Sequence, residues 1–352
     1  MTRPIDESAE TATSAIEAYA VGTIWSVRRI PIGLIHRTFL IDTSSGKFVL
    51  QRLHPDLSSD AILSDYEAVT AHLAEQHFPA PRLVNTMDGR KSVDTKDGRY
   101  RLITHVNGES HEAVRDERMV FEAAKMIGVF HVAMNEFRYA FQSGRSLHDS
   151  PKHWMWMREA AQMAGGEIRK RIDNELRLVE TELPRHFLPA PLPARVVHGD
   201  PKISNVLFDP KTCAASGLVD IDSTARHTAL VDLGDAVRSW CRTGPEDEPT
   251  PFLVGRFRNV CAGYRDSGAM LSRREIDLIP QACRLITLEL AARFLRDAME
   301  DRYFGWDPAR FGSRVEHNVA RARGCLALFE SMTAARVDME EMAREILSKA
   351  QT

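Results

Sequence analysis

Residues 198–205 read His-Gly-Asp-Pro-Lys-Ile-Ser-Asn, and fifteen positions after Asn205 comes Asp220, inside the apolar run Gly-Leu-Val-Asp-Ile-Asp of 217–222. A carboxylate, an amide five residues on and a second carboxylate beyond a short hairpin form the set that ATP-dependent phosphoryl transfer to a hydroxyl requires. Asp200 would accept or orient the attacking hydroxyl, while Asn205 and Asp220 would hold magnesium on the nucleotide phosphates. Arg195-Val196-Val197 is a short apolar lead-in. Val206-Leu207-Phe208 and Leu218-Val219 read as two strands of a hairpin, separated by Asp209-Pro210-Lys211 and small residues. The alternative is a surface hairpin whose acids are ordinary turn residues. Three matched positions at fixed spacing, together with His198, favour the chemistry.

The rest of the composition narrows the class. A chain of 352 residues can hold two domains and a large core. A net charge of −3 and a pI near 6.5 leave no electrostatic footprint for nucleic acid or an acidic membrane. The five cysteines (Cys213, Cys241, Cys261, Cys283 and Cys325) show no paired spacing and read as free thiols of a reducing compartment. The first twenty residues are polar and acidic, and no later segment is long and apolar enough to span a bilayer. The expectation is a cytoplasmic enzyme, monomeric, acting on a small molecule.

Strand character fills 22–53 and 81–106, with Lys47–Leu53 and Tyr100–Val106 as clear runs. Between them Ser59 to Gln76 has helical spacing and is stopped by Phe78-Pro79-Ala80-Pro81. Asp88-Gly89 and Asp97-Gly98 bracket a small hairpin. Helices are expected at 117–134, 154–180, 228–240, 251–267, 272–300, 309–331 and 336–349. This is an α+β, two-lobed, protein-kinase-like fold. Residues 1–106 form a small antiparallel-sheet N-lobe for nucleotide, and residues 107–352 a larger helical C-lobe with catalytic loop, metal loop and substrate site. The hinge falls at Asn107-Gly108, with nucleotide in the cleft between.

The helix at 272–300 carries an apolar stripe of Ile276, Ile279, Cys283, Ile286, Leu290 and Phe294. Arg293 lies on the same stripe. A buried Arg must be paired or must meet a polar ligand; the other possibility is a packed stem with its head in water.

The stretches HGDPKISNVLFD and GLVDIDSTARHTALVDLGDAVRSW resemble the aminoglycoside/choline kinase-like phosphotransferase superfamily, with His-Gly-Asp where protein kinases carry His-Arg-Asp. IPIGLIHRTFLI, FVLQRLH, SLHDSPKHW and LELAARFLRDAMEDRYFGW extend the likeness over most of the chain and point to the anomeric sugar kinases of the N-acetylhexosamine 1-kinase type. The resemblance implies ATP and Mg2+ as cofactors, Asp200 as base toward an anomeric hydroxyl, and Asn205 and Asp220 as metal ligands. It places Arg293 and Tyr303 on the substrate. Glu67 would pair with the nucleotide-contacting strand residue, and Gly33, Ile103 and His105 would complete the nucleotide set. The strand that usually ends in a phosphate-binding Lys instead reads Phe48-Val49-Leu50-Gln51-Arg52. Gln51 takes that position in one register and Arg52 in the next, and only one can face the cleft. His36 stands where relatives carry Asn.

His198 is expected to buttress the loop by hydrogen bonding to backbone near Asp220, the alternative being a proton shuttle, and Asp222 either assists the metal or is solvated. Asp232 and Asp235 precede Arg238 at spacings that suit a salt bridge or a loop anchor. Trp154, Met155, Trp156 and Met157 could stack on a sugar or belong to the core. His148 fits a family position without a role. The leading function is a sugar 1-kinase for an N-acetylhexosamine or related hexose. The alternatives are a kinase for choline, homoserine or an aminoglycoside, and an inactive kinase fold acting as a binding module.

Overall fold

Strict two-residue alternation builds the N-terminal sheet. A computed structural model describes residues 7–30 and 36–348. Its first elements are helix α1 (Glu7–Ile16), strands β1 (Ile24–Ile30), β2 (Arg37–Thr43) and β3 (Gly46–Arg52), helix α2 (Asp60–Glu75) and strands β4 (Leu83–Val84), β5 (Val93–Thr95) and β6 (Gly98–Thr104). These strands form one antiparallel sheet ordered β1-β2-β3-β6-β4, with β5 paired to β6. Phe39 and Ile41 of β2, Leu50 of β3, and Tyr100 and Leu102 of β6 occupy one face. They pack with Ala12, Ala15 and Ile16 of α1 into a dry cluster. The residues in between, Val49 and Gln51 on β3 and Arg101 and Ile103 on β6, therefore take the other face. Helix α1 was not expected. Two of the three buried residues named, Ala12 and Ala15, are small and sit in a polar segment, so the helix casts little hydrophobic periodicity.

The chain divides into two compact units. The first comprises residues 1–107, 136–144 and 217–222, and the second the remainder. Segment 136–144 is tied to α2, where Asp65 accepts the backbone N–H groups of Gln142 and Ser143 at 2.7 and 2.9 Å. Segment 217–222 is tied through Leu218, whose N–H donates to the Pro79 carbonyl at 3.0 Å.

The second unit is mostly helical: α3 (Glu117–Ala133), α4 (Ser150–Met163), α5 (Gly166–Arg171), α6 (Asp173–Arg185), α7 (Ala229–Trp240), α8 (Val254–Asp266), α9 (Arg273–Glu300), α10 (Arg314–Ala334) and α11 (Arg336–Leu347). The expected single helix at 154–180 is three helices. Gly165-Gly166 interrupts it, since glycine gives up the most chain entropy in a helix. Helix α9 runs 28 residues, starts at a Ser272/Glu275 capping box and packs against α4, α6, α7, α10 and α11. All six residues of its expected stripe are buried. Short strands β7 (Arg195–Val197) and β10 (Ala225–His227) pair antiparallel, and β8 (Val206–Phe208) pairs with β9 (Ala215–Leu218). Cys213 stands exposed at the tip of that hairpin with φ of 57°. The other four cysteines are free and buried, and burial pushes their thiols well up, Cys261 and Cys325 to about 12. No helix among the described residues is long and apolar enough to cross a membrane.

Candidate active site

Strand β7 delivers the chain into His198-Gly199-Asp200. Gly199 has φ of 84°, and a side-chain carbon there would collide with the Ser223 carbonyl, so the position admits glycine alone. The turn is held by Asp232 in the first turn of α7. Its fully buried carboxylate accepts the N–H groups of His198 at 2.7 Å and Gly199 at 2.8 Å, and lies 2.9 Å from His131 Nε2. His131 in turn meets the Tyr264 hydroxyl at 2.8 Å. Burial opposes charge on Asp232, but the hydrogen bonds from His131 and from the Gly199 backbone hold its carboxyl below the usual range. Asp232 is thus the loop anchor, and Asp235 the salt-bridge partner of Arg238 at 2.8 Å.

Asp200 donates its N–H to His198 Nδ1 at 3.3 Å, so His198 supports the turn it belongs to. Burial disfavours the Asp200 carboxylate, yet Lys202, whose Nζ lies 2.8 Å away, keeps it ionised below its ordinary range. Lys202 was passed over in the sequence; its place two residues after Asp200 was the available signal. The Asn205 Nδ2 donates to the Asp200 carbonyl at 2.7 Å. That bond spends the amide nitrogen and leaves the amide oxygen, the atom a hard divalent cation would take.

In the first unit, Asp220 follows β9 in the left-handed region with φ of 62°, a conformation aspartate tolerates better than most residues. The Asp222 side chain is not solvated. It is 4% exposed, and Arg101 grips it with two bonds of 2.6 Å from Nη1 and Nη2. Arg101, 1% exposed, also donates from Nε and Nη2 to Gln51 Oε1 at 2.9 and 2.8 Å and lies 4.0 Å over the Tyr66 ring. His36 Nε2 is 3.8 Å from Asp222, while His36 Nδ1 accepts the His54 N–H at 3.1 Å. Desolvation works against both ions, but each partner overrides it: Asp222 is held far below the carboxylate range and Arg101 above its own.

The expected nucleotide residues separate accordingly. Gly33 lies outside the described residues. Gln51 is committed to Arg101, and Arg52 points to the opposite face, its Nε 3.8 Å from Asp97. Glu67 pairs with Lys91 at 3.0 Å and accepts from Asn85 at 3.2 Å, in place of the expected strand partner. Ile103 is buried beside Arg101 on β6, opposite Val49, and His105 is half-buried just past the strand.

The far end of α9 gathers the expected substrate residues. Asp297 accepts three successive backbone N–H groups, from Arg302, Tyr303 and Phe304, and fixes the turn after the helix. Arg293 is half-buried with its guanidinium 5.6 Å from the Phe304 ring centre, and Tyr303, 46% exposed, meets the same ring edge-on at 5.0 Å. Among the described residues Arg293 forms no ion pair. Trp154 and Met157 join the core, whereas Trp156 is flanked by the cations of Lys152 and Arg296.

One turn earlier on α9, Glu289 is buried and accepts from Ser150 at 2.5 Å and bonds His148 Nδ1 at 2.9 Å. The sequence offered only an unassigned His148. Desolvation notwithstanding, His148 is pushed up by Glu289, and Glu289 is lowered to about 2 by His148. The His148 contribution to stability is full below its ordinary 6.5 and fades as pH rises through the raised value. That of Glu289 is full above its ordinary 4.5 and fades as pH falls through about 2. The stability gap between wild type and Glu289→Gln should therefore be widest between pH 4.5 and 6.5 and narrow on both sides. Denaturation midpoints across pH check this; a gap independent of pH rejects the charged pair.

Residues 26–270 match the model of the APH phosphotransferase enzyme family. The chain is 24% identical over 266 residues to the homoserine kinase of Zymomonas mobilis, covering 75% of this chain and 79% of that one. Among solved structures, a microcompartment-associated aminopropanol kinase shares 18% identity at a TM-score of 0.65, covering 95% of this chain and 98% of that one. An amicoumacin kinase in complex with AMP-PNP and Ca2+ shares 12% identity at 0.61, covering 90% and 93%.

Proposed function

We infer the substrate and cofactors from one premise: the chain belongs to the phosphotransferase enzyme family, and is a small-molecule phosphotransferase acting on a hydroxyl. The substrate we propose is a small amino alcohol, with a hydroxy amino acid of the homoserine type foremost. The observation that carries this is the likeness to homoserine kinases over three quarters of the chain. Two of the relatives named above are a homoserine kinase and an aminopropanol kinase, so this reading displaces the sugar 1-kinase expected from the LELAARFLRDAMEDRYFGW stretch. Arg293 supports it further. A half-buried guanidinium with no ion pair among the described residues suits a carboxylate, which a hydroxy amino acid carries and an acetamido sugar lacks.

ATP is the proposed donor, with magnesium at Asn205 and Asp220; when bound, magnesium would neutralise charge on the nucleotide phosphates. Asp200, kept ionised by Lys202, accepts the proton of the attacking hydroxyl. Asp232 keeps that carboxylate in place through the backbone of the two residues before it. A second reading keeps the hexosamine substrate, because Arg293 and Tyr303 flank one ring, Phe304, as a sugar subsite would require.

ADP release measured with homoserine, aminopropanol, choline, N-acetylglucosamine, N-acetylgalactosamine and kanamycin decides between them. Turnover is expected with homoserine or aminopropanol. Turnover confined to the hexosamines, with phosphate on the anomeric oxygen by NMR, overturns the proposal in favour of the second reading. ATP binding without turnover on any acceptor would point to a binding module.

A further inference from the structure

Arg101 and Asp222 form a buried ion pair of the first unit, and neither residue has a part in the chemistry described so far. Asp222 sits two positions after Asp220, and Leu218 two positions before it. Leu218 is tied back to Pro79 through its N–H at 3.0 Å, and Asp222 is held by Arg101 through two bonds of 2.6 Å. Asp220 thus lies midway between two tethers, in a left-handed conformation that costs a non-glycine residue some strain, though aspartate less than most.

The grip on Asp222 is itself braced. Gln51 and Arg101 are direct cross-strand partners on β3 and β6, with side chains on one face. Gln51 Oε1 accepts two of the guanidinium N–H groups, the Tyr66 ring closes one side, and His36 approaches Asp222 from β2's leading end. A lysine at position 51 would set an ammonium where that oxygen now accepts from Arg101, and like charges directly opposite on a sheet repel. Lysine at 51 is therefore disfavoured beside arginine at 101, whereas glutamine accepts from it.

We propose that Arg101 and Asp222 are positioning residues: a buried clamp, braced by Gln51, that fixes the conformation of Asp220 for metal binding. This rests on the assignment of Asp220 to the metal made above. Two measurements on the full chain test it, thermal unfolding and nucleotide titration with varied magnesium, neither of which needs the acceptor to be known. Arg101→Lys keeps the charge and loses the two-bond grip. It should fold with a lowered melting temperature and, well below that temperature, raise the magnesium concentration at half-saturation by about tenfold, the effect of one lost charge-assisted hydrogen bond. Gln51→Lys should lower the melting temperature and magnesium-dependent nucleotide binding together, as should Arg101→Met, which strands Asp222. The double variant Gln51→Lys/Arg101→Met offers Asp222 a new cation and should recover much of both losses. Additive losses in the double variant, or an unchanged magnesium requirement in Arg101→Lys, would overturn the clamp. If Asp220→Ala leaves magnesium dependence intact while the double variant still rescues stability, the metal assignment fails and the positioning claim falls with it, leaving only the charge pairing.

Discussion

Replacing Asp200 with asparagine should lower kcat by roughly 10²–10⁴, the usual worth of a positioned general base, and leave the Kd for the ATP–magnesium complex close to wild type. The geometry separates the two effects. The Asn205 amide is oriented mainly by the backbone carbonyl of residue 200, at 2.7 Å, with the side-chain oxygen farther off at 3.4 Å. Asparagine preserves that carbonyl and nearly preserves the side-chain shape. What it removes is the negative acceptor that Lys202 keeps ionised. Steady-state kinetics with the best acceptor, beside a nucleotide titration, check the prediction; an equal loss of rate and nucleotide affinity would reject the assignment of Asp200 to the hydroxyl.

The largest loss of stability is expected at Asp232→Ala. Its carboxylate serves two backbone N–H groups and His131 in a site with no access to water. Deleting one member of a buried charged network typically costs about 3–5 kcal/mol, because the partners left behind cannot recover their hydration. The same change frees the His198-Gly199 turn, so kcat should fall even under conditions where the variant is folded. Denaturant unfolding and kcat at low temperature measure the two losses. A variant of wild-type stability would show that the loop is held by something other than this carboxylate.

How far the sequence reveals these features depends on how far apart the partners lie. The Asp200, Asn205 and Asp220 spacing was legible because one short strand and its hairpin connect them. The stripe of α9 was legible because helical periodicity is a local property, and so was the Asp235–Arg238 pair, three residues apart. Asp222 was not. Its partner Arg101 lies 121 positions away, inside a strand whose apolar neighbours gave the arginine no obvious task. Nor were the partners of Glu67, which are Lys91 and Asn85 and no strand residue of the expected kind. The break in the 154–180 helix was written in Gly165-Gly166, which periodicity alone passes over. Asp149 and Pro151 likewise marked the true start of α4, four residues ahead of the expected one, through a cap and a first-turn proline.

The hairpin joining Asn205 to Asp220 carries a practical consequence at its tip. Cys213 is the one exposed thiol among the five cysteines, all of which lie in described segments. The other four are shielded and held in the unreactive protonated form. A maleimide dye applied to the native protein therefore has a single attachment point, with no engineered cysteine and none removed. It would sit on the span of chain that bears both proposed metal ligands, so its fluorescence could report magnesium and nucleotide arriving in real time, before any acceptor is found.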